Sequence, residues 1–213
     1  MLGIIRVITL ADSDAVAAHG NLLRRTFALE VLSECIPDQP EGIYDDATET
    51  IAVPKIVAVA RRLEARGCRL IGISCAADPA LDEVRAAVRA PVIGAGSAAG
   101  HVARAASQRI GVLTILNETP PRLRALLGDA YIGVDKPTGV RTTLDLQTDA
   151  GRGGALAAAG RLIERGADTI VLGCTGFTTI EFAPVLRRRF GIGFVDPVIA
   201  LGACAAALMG QAP

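Results

Sequence analysis

Short β-branched runs alternate along this chain with longer segments rich in alanine, leucine and arginine. IIRVITL (4–10) predicts a first strand, and DAVAAHGNLLRRTFA (14–28) an amphipathic helix. LEVLSECI (29–36) predicts a second strand, and PDQPEGIYDD (37–46) a loop punctuated by Pro37, Pro40 and Gly42. A helix over 48–66 is stopped by Gly67 just past its end. Strand and helix then take turns: CRLIGIS, PALDEVRAAVR, PVIGAG, SAAGHVARAAS, RIGVLTIL, TPPRLRALLG and YIGVD. KPTGVRTTLDLQTDAG reads as a long connection. GGALAAAGRLIER, a helix ended by Gly166, leads to the strand ADTIVLG, the helix IEFAPVLRRRF, the strand GIGFVD and a last helix, PVIALGACAAALMG. Such alternation predicts an α/β fold of parallel sheets covered on both faces. No low-complexity linker interrupts it, so any two domains are closely packed.

Composition narrows the function. The chain has 213 residues, half of them apolar, with 21% charged and a formal net charge of zero. That suffices for one large domain or two small ones with a real core. No basic stripe is present and only 3% of residues are aromatic. Nucleic-acid binding loses both its electrostatic term and its stacking platform, which leaves a small molecule as the expected partner. No apolar run approaches the roughly 20 residues of a membrane span, and the apolar start lacks the charged lead-in of a signal peptide. The five cysteines (35, 68, 75, 174 and 204) are odd in number, widely spaced and without a C-x-x-C pair. A disulfide framework, a metal site and a thioredoxin-like motif are therefore not expected, and a reducing cytoplasm is.

An internal repeat singles out two of these thiols. RLEARGCRLIGISC (62–75) and RLIERGADTIVLGC (161–174) align without gaps at an offset of 99 residues, with six of fourteen positions identical. Each copy is a helix end, a glycine stop, a strand and a cysteine at its carboxyl end. The doubling predicts two similar α/β units, each offering one thiol from the same structural place. Ligands of open α/β sheets bind beyond the carboxyl ends of the strands. Two units facing each other across a pseudo-twofold would aim Cys75 and Cys174 into one cleft.

That pairing suits a two-base reaction at a carbon acid. One thiolate removes an α-proton from one face of a planarising carbon, and the opposite thiol returns a proton to the other face. Each sulfur must approach the carbon's proton path, which sets the pair roughly 6–8 Å apart, beyond disulfide reach. An ordinary thiol is only a few per cent ionised at neutral pH, and a helix N-terminus lowers its pKa. Asp78-Pro79 after Cys75 and Thr178-x-x-Glu181 after Cys174 have the form of helix starts, so both thiols are expected to be acidified. The plain alternative for a lone strand-end cysteine is packing, which is how Cys35, Cys68 and Cys204 are read.

IGAGSAAG contains Gly94-x-Gly96-x-x-Ala99, a form of the dinucleotide fingerprint, although no well-placed acidic partner follows. It reads better as a tight turn lining the cleft, with Ser97 capping the next helix or touching substrate. His101 reads as packing or solvent-facing, and Arg187–Arg189 as a solvated helix end.

At these residues the chain resembles the aspartate/glutamate/hydantoin racemase superfamily, most closely its hydantoin racemase-like branch. The resemblance rests on ISCAADPALDEVRAAVRAPVIGAGSAAG, IVLGCTGFTTI and VDPVIALGA and extends over nearly the whole chain. It implies a cofactor-independent racemase or epimerase with two α/β domains, residues 1–96 plus 197–213 and residues 97–196, and the active site between them. It implies Cys75 and Cys174 as the acid/base pair. Thr9, Ala76, Ser97, Thr114, Thr119, Thr175 and Gly176 are the expected substrate contacts, and a homo-oligomer the expected assembly. Two departures matter. Ala76-Ala77 replaces the Asn-Thr usual in the amino-acid racemases, which argues against free aspartate or glutamate. The first strand runs into ADSD rather than an Asn-Pro turn, which leaves the N-terminal contacts open. A substituted hydantoin is the favoured substrate. The rival readings are a one-cysteine decarboxylase or cis-trans isomerase of a dicarboxylate, and a non-catalytic small-molecule or nucleotide binder.

Overall fold

The computed structural model describes residues 1–210; residues 211–213, which the expected first domain included, lie outside the described residues. Eight parallel strands form two four-stranded sheets of the same topology. Strands β1 (Leu2–Arg6), β2 (Val31–Cys35), β3 (Leu70–Ser74) and β4 (Val92–Gly94) run in the order β2-β1-β3-β4. Strands β5 (Ile110–Leu113), β6 (Tyr131–Asp135), β7 (Thr169–Leu172) and β8 (Gly193–Val195) run in the order β6-β5-β7-β8. Every pairing is parallel, as crossover helices require.

The helices are α1 (Ser13–Phe27), α2 (Asp46–Ala65), α3 (Leu81–Ala87), α4 (Ala95–Ala106), α5 (Pro121–Leu127), α6 (Asp149–Glu164), α7 (Gly176–Thr179), α8 (Phe182–Phe190) and α9 (Pro197–Met209). The doubling reaches individual hydrogen bonds. At the end of α2, Gly67 N–H donates to Glu64 O and Cys68 N–H to Leu63 O; at the end of α6, Gly166 donates to Ile163 and Ala167 to Leu162. Both are Schellman closures, and both glycines hold positive φ, +86° and +93°. A Cβ there would strain the left-handed turn that sends the chain into β3 or β7.

Alternation along the strands divides the core in three. Ile5, Ile71 and Ile73 face α2 and α3 through Ile56, Leu63 and Val84. Leu113, Ile170 and Leu172 face α6 and α8 through Leu162, Phe182 and Leu186. Between the sheets lies a third cluster to which both contribute: Leu2 and Ile4 from β1, Ile110 and Val112 from β5, with Ala99 and Ala103 of α4 and Leu201 and Ala205 of α9. Alanine on α4 and α9 lets these two helices lie against each other.

Several boundaries differ from the sequence reading. β1 ends at Arg6, because Val7 to Leu10 leave the sheet. The expected helix over 180–190 starts at Phe182, after Glu181 at φ +49°, and a separate single turn, α7, precedes it. The long connection 136–151 holds a short 3₁₀ turn at Asp145–Gln147 and the first residues of α6. No helix among the described residues is long and apolar enough to cross a membrane.

Candidate active site

The cavity opens where the carboxyl ends of both sheets meet, as the strand-end rule demands. Its volume is about 200 Å³, the scale of a small molecule. The ends of β1, β3, β5 and β7 supply its floor: Arg6 to Ile8, Ser74 to Ala77, Ile115 and Leu116, and Gly173 to Gly176. Gly42 and Ile43 after β2, and Thr143, Leu144 and Gln147 after β6, complete the wall. Arg141 joins these two loops by a 3.2 Å ion pair to Glu41 and by lying over the Tyr44 ring.

Cys75 and Cys174 both line this cavity, one from each sheet. Cys75 presents part of its surface to it, while Cys174 is 7% exposed. The peptides beside the two sulfurs are clasped directly: Thr175 Oγ1 donates to Ser74 O at 3.2 Å. His19, buried on α1, adds a second tie, with Nδ1 2.8 Å from Ser74 Oγ and Nε2 3.0 Å from Thr179 Oγ1. Burial, and then the nearby Arg6 charge, hold His19 well below its ordinary pKa, so its ring is neutral.

Each cysteine loop is anchored to the helix that follows the neighbouring strand. After Cys75, the Asp78 carboxylate accepts from Gly96 N–H at 2.8 Å, Ser97 N–H at 2.6 Å and Ser97 Oγ at 2.5 Å. It thereby caps α4, not α3 as the sequence suggested; α3 starts after Ala80, with no side-chain cap. After Cys174, Thr178 Oγ1 donates to Asp196 Oδ1 at 2.9 Å, and Asp196 caps α9 through Val198 and Ile199 N–H. Thr178 therefore opens no capping box with Glu181, which sits at the start of α8 without a cap bond.

The same contacts explain the Gly94-x-Gly96 turn. A Cβ at Gly94 would lie 2.3 Å from Asp78 Cγ, and one at Gly96 2.0 Å from Ala76 O. The glycines admit the Cys75 loop, and the α4 amides that a phosphate would need are already taken by Asp78. The turn therefore offers no nucleotide cradle and does not line the cavity.

Both thiols are pushed up in pKa rather than down. Burial is the main cause for each; it raises Cys174 to about 11 against the contacts from Gly176 and Phe177 N–H, and raises Cys75 further. The charges acting on Cys75 are all acidic, those of Cys174, Asp78 and Glu49, and they add to its rise. The expected acidification fails because α3 begins six residues beyond Cys75 and α7 is a single turn. Ionising either sulfur opposes ionising the other, so the pair retains a proton.

Of the contacts expected from sequence, Ala76, Thr175 and Gly176 line the cavity with the two cysteines. Thr9, Ser97, Thr114 and Thr119 are not among its lining residues, and each has another task. Thr9 Oγ1 donates to Ile36 O and accepts from Gln39 N–H, stapling the loop after β2. Ser97 is bound to Asp78. Thr114 is sealed beneath Cys174, donating to Gly173 O at 3.0 Å. Thr119 pairs with Tyr131 Oη at 2.9 Å. Arg6, His19, Ser74 and Thr179 went unnoticed in sequence. Arg6 carried a usable signal, since a charge inside an apolar strand run is rarely buried without a purpose.

A profile of the Asp/Glu/hydantoin racemase family matches residues 17–205. A hydantoin racemase from Rhizobium meliloti is 31% identical over 211 residues, covering 94% of this chain and 85% of that protein. Among solved structures, an allantoin racemase from Klebsiella pneumoniae superposes with a TM-score of 0.82 at 25% identity, covering 98% of this chain and 87% of its own. An allantoin racemase from Pseudomonas fluorescens shares the fold, with a TM-score of 0.78 at 19% identity over 98% and 90% of the two chains. The chain belongs to the Asp/Glu/hydantoin racemase family and is an isomerase of the racemase type.

Proposed function

We propose that this racemase inverts the C5 centre of a 5-substituted hydantoin or related cyclic ureide, with Cys75 and Cys174 as its two acid/base groups. The observation that carries the reading is that two cysteines, from equivalent strand ends of two like sheets, line one small cavity. The similarity to hydantoin and allantoin racemases supports the substrate class.

In this mechanism the sulfur of one cysteine, as thiolate, takes the α-proton. The electron pair left on carbon delocalises onto the adjacent carbonyl oxygen. The opposite cysteine, still a thiol, protonates the other face of the carbon, and the pair ends with its proton exchanged between sulfurs. Cys174 is the sulfur that ionises first, since two backbone N–H groups face it and its pKa is raised less than that of Cys75. A thiolate of such high pKa is scarce at neutral pH but strongly basic, which suits a ureide C–H, more acidic than that of an amino-acid carboxylate. The apolar walls, Val7, Ile8, Ile115 and Leu116 among them, keep that base out of water.

The test is proton exchange at C5 in heavy water, followed by NMR alongside loss of optical rotation. Wild-type protein incorporates deuterium while racemising either enantiomer. Cys75→Ala and Cys174→Ala each lose racemisation. Full activity in both variants would refute the mechanism, and turnover of malonates without ureide exchange would favour a one-cysteine decarboxylase.

A further inference from the structure

Among the described residues Arg6 is the only formally charged one lining the cavity, and no carboxylate lines it. The residue is 5% exposed, and no ion pair among the described residues includes it. A guanidinium keeps its proton inside proteins, so a buried one without a counter-ion is costly. Nη1 donates to Ala15 O at 2.8 Å and Val16 O at 3.3 Å on α1. The other guanidinium nitrogens bond to nothing in the described residues. No sealed side-chain nitrogen or oxygen there lacks a partner, so these donors open to solvent, and the surface that Arg6 lines is the cavity.

The position of the charge matters as much as its presence. The Arg6 guanidinium reaches to α1, where Ala15 O and Val16 O hold Nη1, and its charge bears on His19 and Cys35. It therefore lies on the α1 side of the cavity, where Ala15 also lines the wall and a substituent of the ligand can meet it.

We infer that Arg6 is a specificity-determining residue: the free guanidinium donors receive an anionic group, a carboxylate, on the substituent of the ureide. This deepens the proposed function and rests on the same cavity. The planar fork of arginine matches a carboxylate in two parallel hydrogen bonds, and a dry site strengthens them. A neutral amide of the same shape offers one acceptor and no charge.

The experiment compares 5-carboxymethylhydantoin with its side-chain amide, 5-(2-amino-2-oxoethyl)hydantoin, by C5 exchange in heavy water. Wild-type protein should prefer the acid by about 10- to 100-fold in kcat/KM, the scale of a buried charge-assisted hydrogen bond. In Arg6→Met that acid-to-amide ratio should collapse to within about threefold of unity, and Arg6→Lys should restore part of it. A wild-type preference for the amide, or an equal loss on both substrates that leaves the ratio unchanged, would overturn the inference and leave Arg6 as a brace for α1. If neither compound exchanges, the ureide racemase reading fails, and binding decides the inference separately. Isothermal titration of methylsuccinate and of its diamide would then show charge-selective binding lost in Arg6→Met, or, against the inference, no selectivity. Circular dichroism of both variants guards against misfolding, and the lysine variant keeps the test informative if the methionine variant unfolds.

Discussion

Gly96→Ala isolates the dependence of Cys75 on its packed loop. The added Cβ would lie 2.0 Å from Ala76 O and 2.8 Å from Ala76 C, both backbone atoms of the residue after Cys75. Ordinary contact begins at 3.4 Å, so the peptide or helix α4 must retreat by about 1.4 Å. No flexible side-chain tip can absorb this, and Asp78 pins the same loop to Gly96 and Ser97. A misplacement of about 1 Å costs on the order of 10²-fold in a reaction that depends on orientation, and overpacking costs about 1–3 kcal/mol. We expect kcat/KM for C5 exchange to fall by about 10²-fold and urea unfolding to report that loss of stability. Gly153→Ala makes the same chemical change on the exposed side of α6, where the new Cβ meets nothing within 4 Å. It should stabilise the protein by about 0.5–1 kcal/mol and leave exchange intact. Wild-type exchange and stability in Gly96→Ala would refute the claim that this contact fixes Cys75.

Two further predictions concern pH. The raised pKa of Cys174 favours the folded state while the thiol is protonated, so stability should fall as pH rises from its ordinary 9.0 toward about 11. Differential scanning fluorimetry between pH 8 and pH 11 should show that decline, at most about 3 kcal/mol, flattened in Cys174→Ala; an identical slope in the variant would contradict it. His19 works in the opposite direction. Its depressed pKa contributes stability that is complete above the ordinary 6.5 and is lost as pH falls from there. His19→Gln should show a shallower loss of Tm between pH 7 and pH 4.5 than wild type, and a steeper one would sink the argument.

The sequence disclosed this architecture where the physics is local. Alternating runs and the glycine stops at 67 and 166 are decided within a few residues, and the offset of 99 followed from comparing two such stretches. It misled where partners come from afar. Asp78-Pro79 has the form of a helix start, yet the carboxylate turns to amides 18 and 19 residues onward. Thr9 and Thr114 sit at strand ends as substrate contacts do, but carbonyls at Ile36 and Gly173 claim their hydroxyls. Helix starts promised acidic thiols; the depth of the sulfurs, which no local pattern records, raises them instead.

The shared middle cluster has a consequence for how such a chain is handled by cell and experimenter alike. Doubling commonly yields modules that can be cut apart, swapped or borrowed. Here the inner faces of both sheets are sunk into one another through α4 and α9, and α9, which follows the second sheet in sequence, packs back on the first. The first sheet therefore cannot complete its packing until residues 197–209 have been made, and the internal symmetry persists as shape around a core that both halves share.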